Sequence, residues 1–457
     1  MKTEKTDKIN KAISCAGVAV LAFFFLRWVT GSGAGYSLPG KTAALASVVL
    51  AAAVYWRFVP EWINFWNKSS TDCCKEKTAC DNNAAVLVKI FFSCAAVCVV
   101  TLIIIYGFRY TKGYSDTFYQ SIQMWSETDA NHYIDIARDW YLKEGEWDRL
   151  VQLVFLPGYP VVVKLLSFVV KDWYIAGIVI SITAFSLAGC IFYKLMCLDY
   201  SHTDAIRAVK YMCIIPAAFF FAGPMSESLF LLLTVSCIYC LRTKRWFLGC
   251  ALGGYAAFTR SIGITLLVPA VMEFVNKAVN TDKEEYKTGK FISDAASLLL
   301  IPSGFLIYCI INYMVSGDLF KFMEYQSVHW SQNLGWFFNT AAYQIELVAS
   351  NWADNFKMVY GLWLPNVLAF FASLATVLSS AKKMRASYTG WFIAYFIVSM
   401  GATWLLSAPR YMAALMVLPA ALFILTEDKK TDTKYTCCCL IFNIAYLYAF
   451  SMRWYVW

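Results

Sequence analysis

Charged side chains are scarce in this sequence. Only 15% of its 457 residues are Asp, Glu, Lys or Arg, whereas about 25% is usual for a soluble domain. Hydrophobic residues make up 60%, and the mean hydropathy is +0.54. A single soluble core cannot absorb that much apolar surface. The composition therefore excludes a soluble enzyme, a disordered scaffold and a coiled coil.

The sequence also lacks the short alternating strands of a membrane barrel, which are about ten residues long. Its apolar runs are much longer, and lipid offers the backbone no hydrogen-bond partner, so they indicate helices. Several runs are shorter than the roughly 20 residues that a span needs. We therefore expect an all-α polytopic membrane protein with about 11–14 transmembrane segments, some of them tilted or broken. A single membrane domain is expected over residues 1–457.

The basic residues that give the sequence its net charge of +9 are unevenly distributed. They cluster between apolar runs, as the positive-inside rule predicts for cytoplasmic loops. The clustered residues are Lys2, Lys5, Lys8, Lys11, Arg242, Lys244, Arg245, Lys382, Lys383, Arg385, Lys429, Lys430 and Lys434. No basic face is left over, so nucleic acid is not an expected partner.

This orientation places two aromatic-rich loops outside, at 107–150 and 316–354, each long enough for juxtamembrane helices. The spans agree with the basic loops only if one segment between 151 and 223 does not cross. The best candidate is 151–170, which contains Pro157 and Pro160.

The first external loop contains the most suggestive carboxylate. Thr128 or Asp129 is a good helix N-cap, and apolar residues recur at helical spacing from Tyr133 to Tyr141. We expect this helix to lie on the membrane surface. Backbone N–H groups would then hold the Asp129 carboxylate ionised at the helix entry, which suits a general base. The alternative is that Asp129 merely caps the helix.

Further along, ionisable residues interrupt apolar stretches, where they are costly and mark functional sites by default. Arg260 is either a functional residue or the buried partner of Glu227 or another acid. Arg410 is either a functional residue or a snorkelling interfacial arginine. Glu227, next to Ser226, either binds a substrate hydroxyl, orients Arg260 or pairs with a base.

Five motifs occur in the order seen in PIG-V-type mannosyltransferases and their bacterial relatives, which are GT-C glycosyltransferases, and the chain resembles that family over about residues 85–425. The motifs are Trp125 with Asp129-Ala-Asn-His-Tyr133, Phe155-Leu-Pro-Gly-Tyr-Pro160, Pro216 with Ser226-Glu-Ser-Leu-Phe230, Thr259-Arg-Ser-Ile-Gly263 and Pro409-Arg-Tyr411. In the second external loop, Phe322 with Gln326-Ser-Val-His-Trp330 is similar to a pattern in bacterial members.

The resemblance implies a GT-C fold and transfer of a mannosyl or similar hexosyl unit from a polyprenyl-phosphate donor, with inversion, on the outer or lumenal face. The family usually has Trp directly before Asp, whereas Ser126–Thr128 intervene here. Glu127 is therefore an alternative base, although the residues after Asp129 favour Asp129. Arg260 and Arg410 would bind the donor phosphate, since a guanidinium forks onto two phosphate oxygens.

The expected sugar-binding or acceptor-binding residues have structural alternatives too. They are Asn131, His132, Ser226, Glu227, Gln326, His329, Trp330 and Tyr411. His132 is otherwise a simple exposed histidine, and 326–330 otherwise part of a packed amphipathic loop. No cofactor is required by the resemblance, and metal dependence stays open. Asp135 and Asp139 are spaced to bind a cation but are more typical of a solvated helix face.

The expected partners are a lipid-linked sugar, the bilayer, and a glycan, glycolipid or protein acceptor that the sequence does not identify. The expected location is the bacterial cytoplasmic membrane, or the endoplasmic reticulum membrane in a eukaryote. Two other functions remain to be weighed. A transporter or flippase of a lipid-linked sugar would favour an internal repeat, which is not seen. A non-catalytic scaffold would not need a buried arginine.

Overall fold

The computed structural model describes residues 2–66 (side chains from residue 6), 84–145, 147–281 and 287–457. The protein is 79% helical, and no strand is present in these ranges. An isolated antiparallel bridge joins Leu334 to Ala402. The expected all-α class is confirmed.

The helices of the first half are α1 Lys2–Thr30, α2 Leu38–Trp66, α3 Ala84–Thr111, α4 Phe118–Ile122, α5 Ala130–Asp139, α6 Gly158–Ser167, α7 Trp173–Met196, α8 His202–Ile214, α9 Glu227–Arg242, α10 Trp246–Thr259 and α11 Leu267–Asn280. Those of the second half are α12 Thr288–Ser297, α13 Leu300–Ser316, α14 Lys321–Trp330, α15 Phe337–Asn351, α16 Phe356–Met358, α17 Leu364–Ser380, α18 Ala386–Met400, α19 Ala408–Ala413, α20 Val417–Leu425 and α21 Lys429–Ser451. Tighter 3-10 turns occupy Gln123–Glu127, Arg149–Val154, Ala218–Ala222 and Ser261–Leu266, and a π-helical turn occupies Val359–Trp363.

Seven helical stretches among the described residues are long and apolar enough to cross a membrane. They lie in α1, α2, α3, α7, the stretch Ser261–Asn280, the stretch Thr288–Ser316 and the stretch Phe356–Ser380. Three shorter apolar helices, α6, α10 and α18, accompany them. The protein is therefore a multi-pass membrane protein, while the expected total of spans stays a prediction.

Helix α6 bears on the topology of segment 151–170. It has ten residues, about 15 Å at 1.5 Å per residue, which is half of a typical hydrocarbon core. A helix this short does not cross the bilayer unaided, in keeping with the segment chosen from the sequence as non-crossing.

The two stretches expected outside form helices, and side chains of the two stretches contact each other. Residues 107–150 contain α4 and α5, and residues 316–354 contain α14 and α15. The Tyr325 hydroxyl donates to Asp148 Oδ2 at 2.5 Å, which joins the two stretches. That hydrogen bond raises the pKa of Tyr325 to about 12.

Basic loops that the sequence assigns to one side of the membrane meet in the structure. Arg242 Nη2 donates to Asp199 Oδ1 at 2.7 Å, and the neighbouring Tyr200 hydroxyl donates to the Lys383 carbonyl at 3.0 Å. Lys383 in turn pairs with Glu427 at 2.7 Å. The loops after α7, α9, α17 and α20 therefore share one face of the bundle.

Close to this face, Arg385 pairs with the buried Glu273 through bonds of 2.6 and 2.7 Å. The Arg385→Met variant leaves a buried carboxylate without its cation. We expect the free energy of unfolding to fall by about 3 kcal/mol and the thermal midpoint in detergent to drop by several degrees. Lys383→Met is the matched control, because both members of its pair with Glu427 are largely exposed and such pairs contribute less than about 1 kcal/mol. Equal midpoints for the two variants would contradict the assignment.

Candidate active site

Trp125 anchors the chain that leads to Asp129. Its side chain is fully buried, with its ring centroid 4.6 Å from that of Phe450 and 5.6 Å from that of Phe220. A Cβ on Gly223 would lie within 2.6 Å of the Trp125 ring, so glycine permits this close contact. The Trp125 carbonyl accepts from the Thr128 hydroxyl at 2.6 Å, which fixes the turn before α5.

Asp129 occupies the N-cap position of α5, but its carboxylate makes no capping bond. Its backbone already has helical angles, whereas a capping side chain needs an extended backbone to reach the first free N–H groups. The expectation that backbone N–H groups hold this carboxylate is wrong. Arg410 holds it instead, through a bond of 2.7 Å from Nη1 to Oδ2.

Helix α5 also differs from its expected setting on the membrane surface. Its apolar side chains are buried within the protein, where the helix contacts α6 and α7. The helix ends at Asp139, because Trp140 has a positive φ of 63°, which does not continue a right-handed helix. Its apolar spacing identified a protein core face rather than a lipid-facing one.

Asp129 belongs to a charge cluster of two acids and two arginines. We call Asp129, Glu227, Arg260 and Arg410 the buried charge cluster. Arg260 Nη1 bonds to Glu227 Oε1, and Arg410 Nε lies 3.4 Å from the same oxygen. Glu227 is 1% exposed and is the first residue of α9, where the helix dipole favours a negative charge. With two charges of each sign, the cluster is electrically neutral.

Neighbouring polar and aromatic groups complete this cluster. The Ser226 hydroxyl accepts from Arg260 Nη1 at 3.1 Å and lies 3.0 Å from the Tyr133 hydroxyl. The Tyr411 ring centroid lies 5.7 Å from the Arg260 guanidinium carbon and 5.6 Å from that of Arg410. Both distances suit cation–π contacts. Arg260 is thus the buried partner of Glu227, which was one of its two sequence interpretations. Arg410 is 6% exposed and does not snorkel.

Arg260 is positioned by a break between two helices. Helix α10 ends at Thr259, and Arg260 has an extended backbone before the next turn. The motif that begins at Phe155 supports this break: a Cβ on Gly158 would lie 2.7 Å from Thr259 Cα and 2.9 Å from its nitrogen. The Tyr255 hydroxyl donates to the Gly158 carbonyl at 2.9 Å. Two separate sequence motifs thus meet to hold one arginine.

An open cleft of about 400 Å³ lies above Asp129. It is lined by Ser126, Glu127, Thr128, Asp129, Asn131, His132, Asp135, Trp147, Trp330 and Trp457. His132 stacks on Phe155 with centroids 4.4 Å apart, and the edges of Trp147 and Trp330 face it at 6.4 and 6.5 Å. Burial lowers the pKa of His132, so the ring is neutral at neutral pH.

The residues selected from the sequence separate into three groups. Asp129, Glu127, Asn131, His132 and Trp330 line the cleft. Ser226, Glu227, Arg260, Arg410 and Tyr411 lie in or around the buried charge cluster.

Gln326 and His329 face elsewhere. Gln326 donates to Gln332 at 3.0 Å, and His329 stacks on Tyr325 with centroids 5.4 Å apart. Neither lines the cleft. They share α14 with Trp330, but of the three residues only Trp330 lines the cleft.

Five cleft residues were not among the candidates for the site: Ser126, Thr128, Asp135, Trp147 and Trp457. Trp147 and Trp457 carry no sequence signal that separates them from the other aromatic residues. Asp135 had been considered for a cation together with Asp139, but Arg138 lies 2.8 Å from Asp135 and 3.0 Å from Asp139. An arginine therefore already occupies the space between these two carboxylates.

Every carboxylate that lines the cleft has an arginine partner. Glu127 pairs with Arg453 at 3.0 Å, in addition to the pairs of Asp129 and Asp135. Among the described residues, no group of three or more His, Cys, Asp or Glu side chains is arranged to hold a metal ion.

Part of the sequence matches the model of a known protein family. Residues 112–316 match the family model described as Mannosyltransferase (PIG-V). The resemblance inferred from the motifs is thereby confirmed, and together with the membrane-spanning helices it supports a membrane glycosyltransferase. The matched segment contains Asp129, Glu227 and Arg260, while Arg410 lies beyond it.

One solved structure is similar, an archaeal oligosaccharyltransferase AglB from Archaeoglobus fulgidus in complex with an inhibitory peptide and a dolichol-phosphate. The sequence identity is 12% and the TM-score 0.37, over 72% of this chain and 52% of that one. The chain thus spans about half the length of that protein. No curated protein matches the sequence.

The contact between Gly158 and Thr259 can be tested by Gly158→Ala. The added Cβ forces the backbone next to Arg260 to move, and displacements of about 1 Å near a site can lower a rate about 100-fold. We expect glycosyl transfer to fall at least tenfold while the protein still elutes as a folded species. Gly107→Ala is the control, because a Cβ there meets nothing within 4 Å. Unchanged transfer in Gly158→Ala would show that this contact does not position the site.

Proposed function

We propose that the protein is an inverting membrane glycosyltransferase that moves a mannosyl or similar hexosyl unit from a polyprenyl-phosphate donor to a hydroxyl, with Asp129 as general base. The observation that carries this proposal is the setting of the Asp129 carboxylate. One oxygen is held by the buried Arg410, and the side chain, 23% exposed, opens into the cleft.

The Asp129 carboxylate is suited to take up a proton. Its Oδ1 makes no hydrogen bond to any described residue, while Oδ2 is fixed by Arg410. In the reaction, the acceptor oxygen attacks the anomeric carbon from the face opposite the phosphate and gives its proton to Oδ1. The bond from the anomeric carbon to the phosphate oxygen breaks, and the electron pair leaves with the phosphate. Because phosphate leaves as an anion, one carboxylate suffices, whereas glycoside hydrolases use two.

Arg410 and Arg260 are the proposed ligands of the donor phosphate. A guanidinium has five N–H donors, and Arg410 uses only Nη1 in a hydrogen bond within the described part of the chain. Its Nε faces Glu227 at 3.4 Å, which leaves Nη2 as the proposed donor to a phosphate oxygen, where it would offset the charge that develops on the leaving group. Arg260 uses Nη1 for both of its side-chain hydrogen bonds within the described residues. Its Nε and Nη2 groups are therefore the proposed phosphate donors.

The sugar is proposed to lie among the aromatic groups at the mouth of the cleft. Trp147 and Trp330 supply apolar faces and edges, and Asn131 and His132 supply polar groups beside them. The acceptor would approach over the same residues and is a glycan, glycolipid or protein.

Charge supports the orientation of the protein. The basic loops that meet around Arg242 and Lys383 correspond to the cytoplasmic side by the positive-inside rule. The cleft lies on loops that the same rule assigns to the opposite side. We therefore propose an active site on the outer or lumenal face, in the bacterial cytoplasmic membrane given the resemblance to bacterial relatives.

The general base can be tested by Asp129→Asn, which keeps the side-chain shape but removes the proton acceptor. We expect transfer from polyprenyl-phosphate-mannose to fall about 10²–10⁴-fold, the usual contribution of general-base catalysis. Glu127→Gln is the matched control, since Glu127 lines the same cleft and pairs with an exposed arginine. Glu127→Gln should retain activity within about threefold. The reverse result would identify Glu127 as the base.

The arginine partners of the cleft carboxylates also predict independence from divalent metal. A cation would have to displace a guanidinium from each carboxylate before binding. We expect transfer to be unchanged, within about twofold, after treatment with excess EDTA. A loss of transfer that Mg²⁺ or Mn²⁺ restores would show that metal replaces an arginine during the reaction.

A further inference from the structure

A second open cleft, of about 370 Å³, lies outside the proposed active site. It is lined by Tyr36, Asn339, Tyr343, Glu346, Leu347, Ser350, Thr403 and Trp404. Five of these residues recur at spacings of one to four along α15, so they share one face of that helix. Tyr36 comes from the turn between α1 and α2, and Thr403 and Trp404 from the loop before α19.

The polar groups of this cleft are held in place and partly unused. Asn339 Oδ1 accepts from Trp28 Nε1 at 2.9 Å and from the Tyr36 hydroxyl at 3.1 Å. Both bonds use the carbonyl oxygen, so its Nδ2 group remains available as a donor. Glu346 accepts the Ser37 backbone N–H on Oε1, and no cation pairs with its carboxylate within the described ranges. The cleft therefore offers a fixed donor and a fixed acceptor.

An aromatic pair lies beside these groups. The rings of Tyr343 and Trp404 stack with centroids 5.9 Å apart and planes 6° apart. The Tyr343 hydroxyl accepts from the Leu405 backbone N–H at 2.5 Å, which fixes the ring to the loop. The two aromatic rings form a flat apolar surface next to hydrogen-bonding side chains. Such a surface suits a saccharide ring, which has C–H groups on its face and hydroxyls on its edge.

The second cleft is connected to the active-site cleft by a short stretch of chain. Trp330 lines the first cleft, and the chain that follows it pairs with residues 401–403. Gly335 N bonds to the Gly401 carbonyl at 2.6 Å, and Thr403 N bonds to the Asn333 carbonyl at 2.9 Å. Gln332 Nε2 donates to the Trp404 carbonyl at 2.9 Å. The same loop then continues into α19, which contains Arg410.

We propose that this second cleft binds a neutral saccharide unit of the acceptor at a distance from the reacting hydroxyl. The inference rests on the proposed glycosyl transfer and narrows its acceptor to an oligosaccharide long enough to occupy both clefts. Vicinal sugar hydroxyls both donate and accept, which matches Glu346 and the Asn339 amide. The Tyr343 and Trp404 rings contact the face of the sugar ring.

The polar groups of the cleft favour a neutral saccharide over an anionic ligand and over an ammonium headgroup. The Glu346 carboxylate repels phosphate and uronate groups. An ammonium headgroup would suit Glu346 and the aromatic rings but would leave the Asn339 amide without an acceptor. A neutral saccharide uses both polar side chains.

Two conservative variants test this inference. Glu346→Gln keeps an oxygen for the Ser37 N–H but removes the charge, and Asn339→Asp keeps the oxygen bound by Trp28 and Tyr36 but removes the donor. Glu427→Gln is the control, an exposed acid on the face of the basic loops. Transfer from polyprenyl-phosphate-mannose is measured with neutral mannose acceptors from the monosaccharide to the tetrasaccharide.

For the wild-type protein, we expect KM to fall as the acceptor lengthens. In both cleft variants, KM for the tetrasaccharide should rise about tenfold, corresponding to one lost hydrogen bond, while kcat and the monosaccharide KM stay unchanged. Glu427→Gln should behave as wild type. The inference is overturned if wild-type KM does not depend on acceptor length, or if the cleft variants change monosaccharide and tetrasaccharide kinetics equally or leave both unchanged.

Saturation-transfer NMR with mannotetraose gives a readout that does not need catalysis. Signals that weaken in Glu346→Gln and persist in Asp129→Asn support the second cleft even where transfer itself fails. Unchanged tetrasaccharide signals in Glu346→Gln overturn it, as does displacement of the saccharide by phosphocholine and not by methyl mannoside. Failure of the proposed glycosyl transfer would instead appear as absence of product with every acceptor.

Discussion

The pairing of Asp129 with Arg410 is the interaction on which the arrangement of the site depends. A carboxylate and a guanidinium at 2.7 Å join the start of α5 to the buried α19. Arg410 is 6% exposed, so removal of Asp129 would leave a buried positive charge with less compensation. Glu227 on α9 and Arg260 at the break after α10 form a second such pair, which contacts Arg410. Ion pairs between oppositely charged side chains thus join the four elements.

The sequence allowed the class of the fold and most members of this cluster to be predicted. Composition and the length of the apolar runs indicate membrane helices because lipid restricts the backbone so strongly. Arg260 could be selected because arginine is rare inside apolar stretches, and Arg410 because it lies in the motif Pro409-Arg-Tyr411 of the resembled family. Asp129 could be selected because it begins an amphipathic helix in a loop with the family's motif. These signals are local, and each can be found within a short window of residues.

The partners of these residues could not be predicted in the same way. Asp129 and Arg410 are separated by 281 positions, and nothing near either residue specifies the other. The capping role assigned to Asp129 assumed an extended backbone, whereas the turn fixed by Trp125 and Thr128 gives it helical angles. Gln326 and His329 share a motif with Trp330, but of the three only Trp330 lines the cleft. Side-chain direction on a short surface helix is set by tertiary contacts, which local patterns do not contain.

The spacing of the two buried pairs along the chain also sets an order for biogenesis. Glu227 and Arg260 are 33 positions apart and can meet soon after α10 has entered the membrane. Arg410, which contacts both Asp129 and Glu227, follows them much later along the chain. Until Arg410 has been made, the other three members of the cluster carry two negative charges and one positive charge. Helix α19 is therefore the element that balances the charges of the cluster.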